Sequence, residues 1–331
     1  MNRVDHDHDR RAGPRIGLGL PAAIPDAPGR AIVEWASLGE DLGFASVGVI
    51  DRLVYDNYDP FVALAAAAAV TEHAELFTTV LNVPWRQSAL MLAKQLWSLE
   101  RISGGRLIAG LALGGWPEDY RASGVDLAGR GAVFDDMLEV MFRAWKGEVS
   151  GAAGPLPALP TDRPRLLFGG FAPRSYERMA RLGSGWVAPL FGFDALLGGI
   201  ASAQAAWSDA GRPGRPRIVV GRYFSLGPDA DATADEYIRH YYGDEFFSAA
   251  RADVLTTPCH LHDELERLRD AGCDDLLLFP CSADLDEPRR LAATVDPPPL
   301  ATADDTTSQS RSVRDTPARR RVSRAMWAWS A

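Results

Sequence analysis

Cysteine is almost missing from this chain: Cys259, Cys273 and Cys281 are the only three in 331 residues, odd in number and without a C-x-x-C pair. Such a set supports neither a disulfide framework nor a thiolate zinc site, so buried free thiols are expected. Long apolar runs are missing too. The most apolar stretch, Phe61 to Val70, falls well short of the ~20 residues a spanning helix needs. The opening MNRVDHDHDRRAGP lacks the apolar core of a signal peptide, so a cytoplasmic protein without membrane association is expected. Positive charge is in deficit, with 35 Lys and Arg against 44 Asp and Glu for a net −9. The stretch from Ala301 holds six of those arginines against three aspartates, a surplus of +3, so what precedes it stands at −12. An acidic body argues against nucleic-acid binding. The basic end, with Arg319, Arg320 and Arg321, reads either as a contact for an anionic partner or as a disordered terminus. Familiar catalytic signatures are absent as well: no G-x-G-x-x-G follows the first strand and no G-x-S-x-G elbow occurs.

What is present is a rhythm. At 47% hydrophobic and 24% charged, the composition is that of a globular protein long enough for one large barrel without disulfides. Short apolar β-type runs recur at 15–20, 45–51, 76–83, 106–113, 165–168, 185–190, 217–226 and 274–279, with helical periodicity between them. Eight strands separated by crossover-length helical segments imply parallel pairing. The runs are apolar throughout, as in Leu276-Leu277-Leu278-Phe279, which suits strands covered on both faces. Helix ends are marked chemically. Thr257-Pro258 opens one helix and Gly272 closes it; Asp59-Pro60 opens another; Asp26 and Pro28 start the first; Ser88 begins one that stops at Gly104-Gly105; Gly129 to Gly147 brackets a fifth. An open doubly wound sheet alternates in the same way, and the count of eight favours closure. The chain is therefore read as α/β, a single (β/α)8 TIM barrel over residues 15–296, flanked by disordered segments at 1–14 and 297–331. Two stretches break the rhythm. Residues 150–163, rich in proline and glycine, read as a rigid irregular connection, and 230–255 adds helical sequence carrying Tyr237, Tyr241, Tyr242, Phe246 and Phe247.

In a barrel of this kind reactive groups belong at the C-terminal strand ends and the loops after them. The second strand ends Ile50-Asp51-Arg52, a charged pair that reads as an anchor for a polar substrate or cofactor edge, or as a salt bridge at the rim. Asn82 stands in an otherwise buried third strand; a buried amide needs partners, so it meets a ligand or fixes a backbone irregularity. The fourth strand ends Gly114-Gly115-Trp116 and the fifth Gly169-Gly170-Phe171. Glycine pairs admit a ligand close to the backbone, and a helix starting near Pro173 would offer its first amides to an anion such as phosphate, although such pairs also serve ordinary turns. Trp85, Trp116, Phe171 and Phe191 would shape the pocket. His6 and His8 in Asp-His-Asp-His-Asp read as a metal cluster or as solvated charge, and His260 and His262, two apart on one helix, do not share a face. No histidine lands at a predicted strand end, and no metal site is expected.

Three stretches resemble the luciferase-like monooxygenases, in particular their actinobacterial F420-linked branch. They are Leu42-Gly43-Phe44-Ala45-Ser46-Val47 with Asp51-Arg52 and Asp59-Pro60; the run AKQLWSLERISGGRL at 93–107 with GLALGGWPEDY at 110–120; and Leu167-Phe168-Gly169-Gly170 with Gly183-Ser184-Gly185-Trp186. The resemblance implies a barrel with a flavin-type ring across its mouth that transfers hydride between the deazaflavin F420 and a small organic substrate. FMN-dependent monooxygenation, or flavin binding without catalysis, are the alternatives, and a homodimer is expected. Asp51, Arg52 and Asn82 are the catalytic candidates from their places at the strand ends rather than from the resemblance. The resemblance also implies site residues. Thr79 and Val80, where the non-proline cis peptide of relatives would fall, would hold the cofactor with Asn82, Gly114, Gly115, Gly169, Gly170 and Phe171. Two departures stand out: many deazaflavin-dependent relatives have Asp-His where this chain has Asp51-Arg52, and some have an acidic residue at Gly115. Arginine, with a pKa above ~12, does not exchange protons as a general acid or base, so Arg52 would instead stabilise developing negative charge.

Overall fold

The computed structural model describes residues 13–159, 163–189 and 192–297. The expectations for His6, His8, Phe191 and the basic end lie outside these residues. In chain order the first half comprises β1 (Arg15–Gly19), α1 (Gly29–Asp41), β2 (Ser46–Val49), α2 (Pro60–Ala68), β3 (Glu75–Asn82), α3 (Ala89–Ile102), β4 (Leu107–Ala112), α4 (Pro117–Ser123) and α5 (Arg130–Trp145). The second comprises β5 (Ser150–Gly151), β6 (Gly154–Pro155), β7 (Arg165–Gly169), α6 (Pro173–Leu182), β8 (Gly185–Ala188), α7 (Phe193–Asp209), β9 (Arg217–Phe224), α8 (Ala230–Arg251), α9 (Pro258–Asp270), β10 (Asp275–Pro280) and α10 (Glu287–Val295). Eight parallel strands close in the order β1-β10-β9-β8-β7-β4-β3-β2, the α/β barrel that the sequence implied. Among the described residues no helix is long and apolar enough to cross a membrane.

The helix ends follow the sequence chemistry closely. Asp59 Oδ1 accepts the N–H groups of Phe61 and Val62 at 2.9 and 3.2 Å, and Ser88 and Thr257 cap α3 and α9 through their hydroxyls. Gly272 follows α9 at φ +77°, the left-handed conformation that glycine adopts without strain. The first helix differs. Pro28 is its N-cap with no side-chain bond, while Asp26 sits at φ +57° in a turn held by Asp56. The expected irregular connection contains a small antiparallel hairpin, β5 with β6, because Gly154 at φ +104° lets the chain reverse. Residues 230–251 form one helix broken at Gly243, whose φ 70° and ψ 172° divide α8 into two segments.

Two apolar layers follow from strands buried on both faces. Inside the barrel lie Phe77, Ile108, Leu167, Val219 and Leu277; outside it, Leu76, Leu276 and Leu278 pack with Trp35, Trp145 and Trp186 under the helices. The N-terminal end is closed by charge. Arg15, Glu75, Arg165, Arg217 and Asp275 each begin a strand, and they pair at 2.5–2.9 Å: Glu75 with all three arginines, Asp275 with Arg15 and Arg217. At the opposite end β3 departs from regularity. Its register with β4 shifts between Thr78 and Leu81, and the Thr79–Val80 peptide bond is cis.

Candidate active site

A cavity of ≈ 380 Å³ opens at the C-terminal strand ends, within the range of small-molecule sites. Thr79, Val80, Asn82, Gly114, Gly115, Gly169, Gly170 and Phe171 all line it. The glycines make a floor that side chains would obstruct. A Cβ on Gly114 (φ +74°) would lie 2.7 Å from Asn82 Oδ1, and one on Gly170 (φ +112°) would lie 2.8 Å from Ser175 Oγ. At Gly115 no atom of the described residues lies within 4 Å of the missing Cβ, which leaves room for a side chain there. Ile50, just past β2, completes the apolar walls with Gly221 of β9 and Phe279 of β10. A flat ring can lie against such a surface.

Sequence reasoning missed Arg130 and Ser175, which also line the cavity. Ser175 stands in the first turn of α6, where the glycine pair and Pro173 already pointed. Arg130 gave no signal, since it opens α5 well beyond the strand it serves. Among the described residues it is the one charged group in the lining. Its guanidinium donates to the carbonyl of Leu127, and among the described residues its buried Nε has no acceptor. With the amides of α6 beginning nearby, this corner suits an anionic tail.

Asp51 lies past the end of β2. Its Oδ2 accepts the backbone N–H of Asn82 at 2.9 Å, its Oδ1 accepts from Arg86 at 2.8 Å, and its carbonyl accepts from Asn82 Nδ2 at 2.9 Å. Asn82 thus fixes the local backbone and still lines the cavity. Burial pushes the Asp51 carboxyl up to about 6 against the lowering pull of Arg86. Asp51 and Arg52 do not line this cavity. They face a second one of ≈ 360 Å³ with Asn57, Asp59, Trp85, Arg86 and Gln95, so Asp51 and Asn82 form the wall between the two. Trp85, expected to shape the first pocket, belongs to the second, because the single turn at Pro84–Arg86 carries it outward from β3.

Arg52 takes the geometry of the rim salt bridge. Its Nε and Nη2 donate to Asp119 Oδ2 and Glu118 Oε1 at 2.8 and 2.7 Å, and its side chain is 3% exposed. The guanidinium carbon stands 3.8 Å from the Trp116 ring centroid, with Tyr55 and Tyr241 at 5.4 and 5.5 Å. Burial alone would lower its pKa, but the bond to Asp119 and the flanking negative charges hold it above the ordinary value. Asp119 also accepts the N–H of Val54. Three excursions thereby meet at one side chain: the loop after β2, α4 after β4, and α8 after β9. Around it Tyr223, Tyr237, Tyr241 and Tyr242 pack ring against ring, and Tyr55 shares a hydrogen bond with His240 Nδ1 at 2.8 Å. These aromatic side chains roof the barrel mouth.

The chain matches the luciferase-like monooxygenase family model over residues 11–271. An uncharacterized protein of Mycobacterium tuberculosis is 35% identical over 137 residues, covering 39% of this chain. The match spans 47%, about half, of that relative's length. Among solved structures, the monooxygenase RslO1 from Streptomyces bottropensis shares the fold at TM-score 0.71 and 23% identity, covering 85% of this chain and 98% of that one. An F420-dependent secondary alcohol dehydrogenase in complex with an F420-acetone adduct gives TM-score 0.70 at 18% identity, covering 86% and 99%. The oxygenating constituent of 3,6-diketocamphane monooxygenase from Pseudomonas putida, in complex with FMN, gives 0.67 at 19%, covering 88% and 98%.

Proposed function

This chain belongs to the luciferase-like monooxygenase family, and on that premise we propose that it is an oxidoreductase moving a hydride between F420 and a small organic substrate. The observation that carries the reading is the glycine-floored cavity with one cationic corner: a flat, Cβ-free surface for a ring, and Arg130 with an unsatisfied Nε for a phosphate. Gly114, Gly115, Thr79 and Val80 hold the ring, and Asn82 meets its edge. Gly169, Gly170, Phe171, Ser175 and Arg130 hold the phosphate end. Bound there, F420 supplies a ring carbon that gives or receives hydride. Asp51 and Arg52 act from outside the cavity, Asp51 by fixing Asn82 and Arg52 by fixing Trp116 and α4.

FMN is the second reading, with monooxygenation as its chemistry, because a phosphate-bearing flavin has the same two requirements and the FMN-bound neighbour has a closely similar barrel. Titrating the purified protein with F420 and with FMN decides between them. Tight binding of F420 supports the first reading, and of FMN the second. Weak binding of both overturns the proposal, and tight binding without turnover on a broad substrate panel leaves a flavin-binding barrel. The homodimer is proposed as well; exposed Val62 on α2 and Leu90, Met91 and Ile102 on α3 are apolar surface that a second copy would cover. Light scattering giving a monomer mass at micromolar concentration would refute it.

A further inference from the structure

The second cavity, of ≈ 360 Å³, lies behind Asp51 and Asn82 and apart from the proposed cofactor site. Three neighbouring stretches build it: the loop after β2, the turn at Pro84–Arg86 after β3, and the start of α3. Its charged groups are committed to one another, Arg86 to Asp51 and Asp59, and Arg52 to Glu118 and Asp119. Its neutral polar groups are not. Trp85 is 4% exposed, yet among the described residues its indole N–H has no acceptor. The little surface that Trp85 keeps includes this nitrogen, and Trp85 borders the cavity, so the N–H is offered there. Ser88 Oγ accepts the N–H of Met91 and keeps its own hydrogen. Asn57 spends its Nδ2 hydrogens on the carbonyls of Arg52 and Tyr58, which leaves Oδ1 without a donor among the described residues. The half-buried amide of Gln95 bonds to no described residue.

These four groups describe a partner. Trp85 and Ser88 donate, Asn57 Oδ1 accepts, and the Gln95 amide does both. A simple ammonium ion has no lone pair for the donors, and a simple carboxylate has no hydrogen for the acceptor. A single hydroxyl reaches part of the set. Several neighbouring hydroxyls, each both donor and acceptor, answer all of it. The charges lining the cavity, Arg52 and Arg86 against Asp51 and Asp59, already balance, so an uncharged molecule suits it. Carbon has its place too, since buried Leu92 and the Trp85 ring supply an apolar wall, with Leu53 exposed beside them. We propose that the second cavity is a binding site for a small uncharged polyol. Its carbon skeleton lies against Leu92 and Trp85, and its hydroxyls meet Asn57, Trp85, Ser88 and Gln95. This site is separate from the oxidoreductase reading and does not depend on which flavin the first cavity takes.

The test is isothermal titration of the purified full chain with glucose, myo-inositol and sorbitol. Cyclohexanol, cyclohexanecarboxylate and cyclohexylammonium serve as references with one hydroxyl, one negative charge and one positive charge. At least one polyol should bind saturably, and roughly tenfold more tightly than any reference, because more than one hydrogen bond separates them. Gln95→Leu, which suits a helix and removes the amide, should weaken that polyol roughly threefold to tenfold, as loss of a hydrogen bond does, with melting temperature unchanged. Trp85→Phe removes the indole N–H and should act alike; should it lower the melting temperature, Gln95→Leu alone decides. Saturation with whichever of F420 and FMN binds should leave the polyol affinity unchanged, since the cofactor fills the other cavity. The proposal is overturned if no polyol binds saturably, if a reference binds as tightly, if Gln95→Leu binds the polyol like the parent, or if the cofactor expels it. Failure of both cofactors to bind counts against the oxidoreductase reading, while the variants still decide where the polyol sits.

Discussion

Asp51 keeps its proton up to about pH 6 in the folded chain, against 3.8 ordinarily. Between those values the folded state binds more protons than the unfolded one. The group's contribution to stability is therefore complete below about 3.8 and lost as pH rises through about 6. Asp51→Asn, which cannot titrate, removes this trend. The melting temperature of the parent relative to this variant should fall as pH is raised from 4 to 7; a difference independent of pH would mean that Asp51 ionises normally. Gly114→Ala forces a side chain into φ +74° and against Asn82. It should cost about 1–2 kcal/mol in urea denaturation and weaken flavin binding, and an unchanged affinity would show that the ring does not rest there. At this scale the sequence was readable where a residue's task depends on its own backbone, as with the glycine pairs. It was opaque where the task depends on partners far along the chain. Arg52 and Asp119 are 67 residues apart, and nothing in either stretch announces the other.

Elements were legible to the extent that their ends are local chemistry. Thr257, Pro258 and Gly272 define α9 in the sequence and in the structure alike, and Thr257→Ala should cost about 1 kcal/mol while leaving cofactor affinity intact. The kink in α8 escaped notice because a glycine inside a helical pattern does not say which way the backbone turns. Gly243 at φ 70°, ψ 172° occupies a region essentially reserved for glycine. Gly243→Ala should lose about 1–3 kcal/mol and disturb the near-ultraviolet circular dichroism of the tyrosine cluster; a native spectrum would place the kink apart from the roof. Strand β2 ended earlier than its apolar run suggested, which put Asp51 in a loop facing the second cavity rather than the first.

Across the whole molecule, the barrel separates its tasks by end. The floor is held by charge: Glu75 takes three arginines, and Glu75→Gln would leave Arg15, Arg165 and Arg217 with one buried acid among them. A loss of about 2–3 kcal/mol is expected, below the full buried-pair penalty because Arg15 and Arg165 remain in contact with water. Cofactor affinity should not change, since in barrels of this kind the floor serves stability and the mouth serves chemistry. A parallel fall in affinity would show the two ends to be coupled. Closure itself was legible from the count and the apolar character of the strands, whereas the way α4 and α8 fold over the mouth was not, because it is decided by contacts between insertions.

The meeting of those insertions at Arg52 bears on how this protein can change over generations. A neutral replacement of Arg52 alone strands the fully buried Asp119, though not the partly exposed Glu118, and loss of either acid alone leaves the arginine short of a partner beneath its aromatic cover. Each position is acceptable only in the company of the others, so the fitness effect of one substitution depends on which of the rest have already occurred. Apolar lining positions such as Ile50, Val80 and Phe279 carry no ion pair for a substitution to break. They are where gradual selection, in nature or in a laboratory, can widen or narrow the range of compounds this barrel accepts.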